Sequence, residues 1–254
     1  MLSGHRSETY WYFGTFNYRN VSLNKLTEEL EGLADPKIAE HSSRFFKTGP
    51  GEYGEGDSFV GIRVPKLREV AKRYRTVSRA DTVTLLKSKY HEYRLIALVI
   101  LVDHSRRGNR QDRQAICDLY LGHTEFINNW DLVDGSAPQI VGGYFSDRSR
   151  RPLLKLAKSR NLWERRIAIL ATLHFIRQDD IDSTLEIAEL LLDDPEDLMH
   201  KAVGWMLREA WKRQPAAVER FLRAHYNRLP RTTLRYAIER FPEKVRKAHL
   251  NGNI

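Results

Sequence analysis

Arg94-Leu95-Ile96-Ala97, Arg165-Arg166-Ile167-Ala168 and Lys201-Ala202-Val203-Gly204 are variants of one phrase. Each opens on a cation and ends on a β-branched residue followed by Ala or Gly. Asn129-Trp130-Asp131-Leu132 falls between the first two, so the phrase returns about every 36 residues, room for two helices and two turns. That period suits stacked helix pairs better than a four-helix bundle. Small residues in a shared register let neighbouring helices approach closely. The expected fold is all-α: a superhelical stack of HEAT-like two-helix repeats, an α-solenoid with a concave basic groove lined by one helix of each pair.

The flanking pattern agrees. Ser22 reads as a cap for a helix to about 34, and Pro36 starts another to about 47. Residues 48–57, Thr-Gly-Pro-Gly-Glu-Tyr-Gly-Glu-Gly-Asp, carry too many breakers for anything but a loop. Pro65 opens a helix to about 75, and Ser78 caps the next, to about 88. Helical periodicity then recurs over about 91–104, 110–122, 129–144, 150–158, 162–177, 181–192, 197–213, 215–226 and 230–240. No alternating strand pattern of useful length interrupts it. Residues 21–254 read as a single repeat domain. Residues 1–20, rich in aromatic and polar residues, lack clear periodicity and stay unplaced.

Hydrophobic residues make up 41% of the 254 and charged residues 30%, which suits a folded soluble protein with long charged helices better than disorder. The longest apolar run, Leu95 to Val102, is too short for a membrane span, and no export signal is apparent, so an intracellular, cytoplasmic protein is expected. The single cysteine, Cys117, excludes an internal disulfide and reads as a small buried residue. Formal net charge is +9, and the excess is clustered. Arg106, Arg107, Arg110 and Arg113 form one cluster; Arg148, Arg150, Arg151, Lys155, Lys158 and Arg160 form another. Clustering of this kind fits a surface that follows phosphates, although solubility charge on a helical protein is the plainer explanation.

Within this frame Trp130 and Asp134 stand four residues apart, on one helix face. An aromatic plate and a carboxylate could then act on one bound group. Trp130, Arg166 and Trp205 come from related places in successive repeats and could share a groove. Taken singly, each has a plainer role. A helical Trp in a repeat protein is usually core, Asp134 a surface charge, and Arg166 an ion-pair partner, for instance of Glu164. Asp131 reads as a first-turn acid favouring the helix dipole. Trp163 and Trp211 read as packing residues.

Four stretches together resemble the AlkC/AlkD family of DNA alkylation repair proteins, specifically the AlkD-like glycosylases: Phe59-Val60-Gly61-Ile62-Arg63-Val64-Pro65, Asn129-Trp130-Asp131-Leu132-Val133-Asp134, Trp163-Glu164-Arg165-Arg166-Ile167-Ala168-Ile169-Leu170 and Lys201-Ala202-Val203-Gly204-Trp205-Met206-Leu207-Arg208-Glu209. They occur in order, and the likeness spans about 22–248. Residues 1–20 have no counterpart, and the loop at 48–58 is longer than in the simplest members. The resemblance implies a monofunctional DNA glycosylase that removes positively charged alkylpurines, 7-methylguanine and 3-methyladenine, from duplex DNA. It implies a catalytic set of Asp134, Trp130, Trp205 and Arg166, with Arg166 gripping a phosphate beside the lesion. It also implies a lesion left stacked, with the chemistry done at the exposed backbone.

A cationic base is already a good leaving group, so the chemistry needs a stabilised oxocarbenium-like sugar and a placed water rather than a general acid. No cofactor or metal is called for. His104, His123, His200 and His225 lack ligand spacing, and the glycines at 49–56 are not followed by the Lys-Ser/Thr of a nucleotide loop. The expected partner is double-stranded DNA containing alkylated bases, bound by a monomer. Candidate phosphate contacts are Arg106, Arg107, Arg110, Arg148 and Arg151, with Thr232, Thr233 and Arg235 at a helix start. Two rivals remain: a non-catalytic binder of branched or damaged DNA on the same scaffold, and a protein-binding scaffold.

Overall fold

The computed structural model describes residues 23–253. The proposed Ser22 cap and the segment 1–20 lie outside the described residues. In order the helices are α1 (Leu23–Gly32), α2 (Pro36–Phe45), α3 (Val64–Arg73), α4 (Arg79–Leu86), α5 (His91–Arg107), α6 (Arg110–Leu121), α7 (Trp130–Asp134), α8 (Gly143–Phe145), α9 (Arg151–Ala157), α10 (Leu162–Ala171), α11 (Leu173–Ile176), α12 (Asp182–Leu190), α13 (Asp197–Trp211), α14 (Pro215–Ala224), α15 (Arg231–Ala237) and α16 (Glu243–Leu250). Among the described residues there is no β-strand, only one bridge between Ser58 and Tyr90. None of their helices is long and apolar enough to cross a membrane.

The helices form an α-solenoid. One row runs through the molecule, with α3 packed on α5, α5 on α7, α7 on α10, α10 on α13 and α13 on α15. Small residues allow this spacing: Ala97 and Ala168 are fully buried. Gly204 is tighter still, because a Cβ there would lie 2.5 Å from the Thr233 carbonyl oxygen and from Tyr236 Cβ on α15. Cys117 is fully buried, and burial pushes its thiol up to about 12.

Helix starts follow their caps. The Ser78 hydroxyl accepts from the Asp81 N–H, Asp35 from the N–H groups of Lys37 and Ile38, and Asn109 completes a capping box with Asp112. The expected helix over 129–144 is broken. It is a five-residue α-helix, then a π-helical turn at Pro138–Gly142, then α8. Pro138 has no N–H to give the Asp134 carbonyl, so the regular ladder stops there. The expected helix over 162–177 divides at Thr172, whose hydroxyl donates to the Ile169 carbonyl at 2.6 Å. The terminal helix α16 lies beyond the helical stretches read from the pattern.

The loop expected at 48–57 lies within a longer connection, 46–63, between α2 and α3, and its exit is pinned. The Glu92 carboxylate accepts the N–H groups of Val60, Gly61 and Ile62 at 3.0, 2.8 and 3.2 Å. Gly61 sits at φ +86°, and a Cβ there would come within 1.9 Å of the Asp35 carbonyl oxygen, so only glycine fits.

Gly204→Ala should lower stability by about 1–3 kcal/mol, read as a fall in the urea midpoint, because α13 and α15 must separate to admit the methyl. An unchanged midpoint would contradict the close approach.

Candidate functional site

Trp130 and Asp134 sit at the two ends of α7. Its inner face buries Leu132 and Val133 completely, which turns the indole and the carboxylate outward together. The Asn129 side chain accepts the Trp130 N–H at 2.8 Å and starts the helix. Gly135 follows immediately and ends it. The helix is a single turn, so its neighbours must hold it in place.

Arg166 on α10 is the principal hold. Its Nε and Nη2 each donate to one oxygen of Asp134 at 2.8 Å, a bidentate fork. Its Nη1 donates to the Leu198 carbonyl on α13 at 2.7 Å. One guanidinium therefore joins three successive members of the row. Arg166 is 5% exposed, and its Nε, Nη1 and Nη2 all donate within the chain, so in this arrangement it holds Asp134, while the phosphate contact that the resemblance implies is not seen. The neighbouring Arg165 points elsewhere, to Asp194 at 2.6 Å, and Glu164 accepts from the Thr124 hydroxyl rather than pairing with Arg166.

The four residues meet. Trp130, Asp134, Arg166 and Trp205 line one open cleft of about 550 Å³ together with Phe45, Tyr53, Leu198, Lys201, Arg208 and Tyr236. Both indoles are half-buried, packed on the core from behind and open in front. The Asp134 side chain keeps 17% of its surface exposed. Burial raises its pKa above the usual carboxylate value, and the Arg166 charge offsets only part of that. Two of the lining residues are apolar and unusually open: Phe45 at 57% and Tyr236 at 37%. Phe45 lies edge-on to Trp130 with ring centres 6.0 Å apart. Lys201 and Arg208 at the lining are paired with Asp197 and Glu239, so the site presents a carboxylate among aromatic rings, an arrangement that can take a cation with a flat or ring-shaped body.

Sequence reading did not mark Phe45, Tyr53 or Tyr236. Tyr53 comes from the loop and Phe45 from the end of α2, neither carrying a motif of its own. Trp163 is buried as a packing residue, and Trp211 stacks on Phe241 at 4.5 Å.

The candidate phosphate contacts divide. Arg106 and Arg107 are exposed at the end of α5 and share a groove of about 400 Å³ with Arg68, Lys72 and Arg75 from the α3 region. Gly135, next to Asp134, borders the same groove. Arg107 pairs with Asp103; the other four cations form no salt bridge among the described residues. A second groove, of about 430 Å³, lies beyond Trp205 and carries Arg177, Lys212 and Arg213. The α3 cations and Arg177 were not anticipated. Arg110, Arg151 and Arg235 are exposed, outside both grooves. Arg148 folds back on its own chain, over the Tyr144 ring at 4.3 Å and onto the Tyr144 carbonyl. Thr233 is buried, its hydroxyl donating to the His200 carbonyl, and Thr232 donates to Asp197. These three side chains are taken by internal partners.

Comparison with known proteins gives an independent line. No curated protein matches the chain by sequence. A solved structure described as a predicted DNA alkylation repair enzyme from Enterococcus faecalis shares the fold, with a TM-score of 0.63 at 19% identity, covering 83% of this chain and 97% of that one. The sequence itself matches the family described as DNA alkylation repair enzyme over residues 26–241. The chain belongs to the DNA alkylation repair enzyme family.

Proposed function

We propose that this chain is a monofunctional DNA glycosylase, which hydrolyses the N-glycosidic bond of positively charged alkylpurines such as 7-methylguanine and 3-methyladenine in duplex DNA. The observation that carries the reading is the convergence of Asp134 with the two open indoles, Trp130 and Trp205, in one cleft.

Alkylation at N7 or N3 makes the base a cation and a ready leaving group. As its bond to C1′ breaks, positive charge moves to the sugar. Asp134 stands to stabilise that charge and to orient the water that attacks. Opposite unit charges about 4 Å apart attract by about 4 kcal/mol at an effective dielectric near 20, worth about 10³-fold if the attraction is felt mainly in the transition state. Arg166 reduces the net charge of the pair but fixes both carboxylate oxygens, so little reorganisation remains. The indole faces add about 0.5–2 kcal/mol each toward a cation. The cleft is open rather than a sealed pocket, which suits work on a nucleotide that stays in its strand.

Affinity would come from the two cationic grooves that reach the site, one at Gly135 and one at Trp205. Arg68, Lys72, Arg75, Arg106 and Arg107 line the first; Arg177 lines the second together with Lys212 and Arg213, which are paired with Glu209 and Asp179. A strand whose lesion faces Asp134 could place its phosphates along both, releasing counterions.

Purified protein should release 7-methylguanine from methylated duplex DNA, and Asp134→Asn should lower the rate by about 10²–10³-fold while duplex affinity stays within about threefold. Mass-detected base release with a binding titration checks both. Binding without release by the wild type would place the chain with non-catalytic DNA binders instead. Trp130→Ala and Trp205→Ala should each cost less, about 3–30-fold.

The rate should also fall on acidification, with a midpoint above the ordinary Asp value of 3.8, because Asp134 acts ionised and its pKa is raised. A profile flat down to pH 4, with the protein still folded by circular dichroism, would count against an ionised Asp134.

Replacing Arg68, Lys72 and Arg106 together by Ala should weaken binding to all duplexes alike and flatten the log K against log salt slope by about 2–3. An unaltered slope would remove that groove from the DNA path.

A further inference from the structure

We propose that His91 is a positioning residue: wedged between Asp57 and Asp131, it fixes the start of α7 and so sets the Trp130 indole and the Asp134 carboxylate in the cleft. The inference rests on the proposed glycosylase reading for its kinetic consequence, but its structural part stands apart from it.

The geometry begins with the ring nitrogens. His91 Nδ1 lies 3.2 Å from Asp57 Oδ2, and Nε2 lies 2.9 Å from Asp131 Oδ2. A neutral imidazole has one N–H, and an ionised carboxylate only accepts. Two carboxylate partners therefore call for both nitrogens to donate, which makes the ring an imidazolium. His91 is 2% exposed. Asp57 comes from the loop and is held in turn by Arg94 at 2.5 Å and by the Asn129 amide at 3.3 Å. Asn129 is the residue that caps α7. Asp131 uses its other oxygen to accept the Leu132 N–H at 2.9 Å. The first turn of α7 is thus fastened at Asn129 and Asp131 to one buried cluster.

A second route leads from the ring face. Phe46 and Phe59 each lie 4.8 Å from the His91 ring, and Phe46 stacks on Trp130 with centres 5.4 Å apart. His91 therefore reaches Trp130 both through the helix and through a stacked ring. Arg166 holds the carboxylate end of this one-turn helix, and His91 holds the indole end. A helix of five residues has little stability of its own, so losing either hold would let it shift. A shift of about 1 Å in a reacting group can cost about 10²-fold.

The charged groups facing the ring are Asp57 from the loop, Asp131 from α7 and, behind Asp57, Arg94 of its own helix. Burial pushes the imidazolium down, but hydrogen bonds and charges from both aspartates outweigh it and hold the ring at about 9. Burial likewise works against ionised Asp57, and the His91 and Arg94 contacts overcome it, so its carboxyl is held below the usual range. For the raised histidine, the clamp is complete below the ordinary value of 6.5 and is lost as pH rises through about 9.

The test uses the full chain and a duplex carrying 7-methylguanine. Wild type and His91→Gln are compared by single-turnover base release, duplex affinity and two-dimensional NMR of the histidine ring and the tryptophan indoles. The expected result is a rate about 10–100-fold lower in His91→Gln with affinity within about threefold. In the wild type, His91 should show both ring protons at neutral pH, and the Trp130 indole signal should titrate together with His91 near pH 9. Base release should fall over the same range, a limb that His91→Gln lacks. An unchanged rate in a folded His91→Gln, a ring carrying one proton at pH 7, or a Trp130 signal indifferent to the histidine titration would each overturn the proposal. If His91→Gln does not fold, the two wild-type titrations decide. If the wild type releases no base, the glycosylase reading fails, and the ring-proton and indole signals still judge the clamp.

Discussion

A single buried guanidinium ties the candidate site to the fold. Arg166 closes a fork on Asp134 and donates its remaining terminal nitrogen to the Leu198 carbonyl, so α7, α10 and α13 meet at one side chain. Burying such an ion pair gives little net stability, but leaving one partner alone costs about 3–5 kcal/mol. The arrangement therefore specifies geometry more than it adds strength. Three successive members of the solenoid row are held at a fixed separation, and the cleft between them inherits that separation. Trp205 follows Gly204, whose missing Cβ admits α15 against α13. Packing and site share the same short stretch of chain.

The electrostatics of the cleft are uneven in a useful way. Asp134 is paired, mostly covered, and disfavoured as an anion by burial. Around it the cleft is lined by aromatic rings and by Lys201 and Arg208, with no second carboxylate among the lining residues. Further cations that could meet a phosphate chain lie outside the cleft, in the groove of Arg68, Lys72 and Arg106 that reaches Gly135 and in the groove of Arg177 that reaches Trp205. On the proposed reaction, the grooves supply affinity and the carboxylate supplies rate. A carboxylate already desolvated and fixed at both oxygens has little left to rearrange when positive charge appears on a sugar.

Much of this was legible before any coordinates. The recurrent phrase ending at Ala97, Ala168 and Gly204 carried the repeat, because close helix packing leaves small residues in register. The spacing of Trp130 and Asp134 carried their shared face, because one turn of helix fixes it. Other features depend on contacts between distant parts of the chain. Arg165 and Arg166 look interchangeable in the sequence, yet about 100° of helix separates them, and they reach Asp194 and Asp134 respectively. Asp131 reads as an acid favouring a helix dipole, but His91, forty residues earlier, makes it one jaw of a clamp. Pro138 was visible, while the π-helical turn it forces was not. Tyr53 and Phe45 reach the cleft only through the course of the loop and the end of α2. Thr233 looked available at a helix start, and tertiary packing turned its hydroxyl inward.

The central claim is that Asp134, framed by two indoles, recognises positive charge as it develops on the sugar. The direct measurement compares affinities for two duplexes identical except at the lesion position. One carries a neutral tetrahydrofuran abasic analogue and the other a protonated pyrrolidine of the same shape. The account predicts at least about tenfold tighter binding of the pyrrolidine duplex, with the preference abolished in Asp134→Asn. Equal affinities of the wild type for the two duplexes would contradict it.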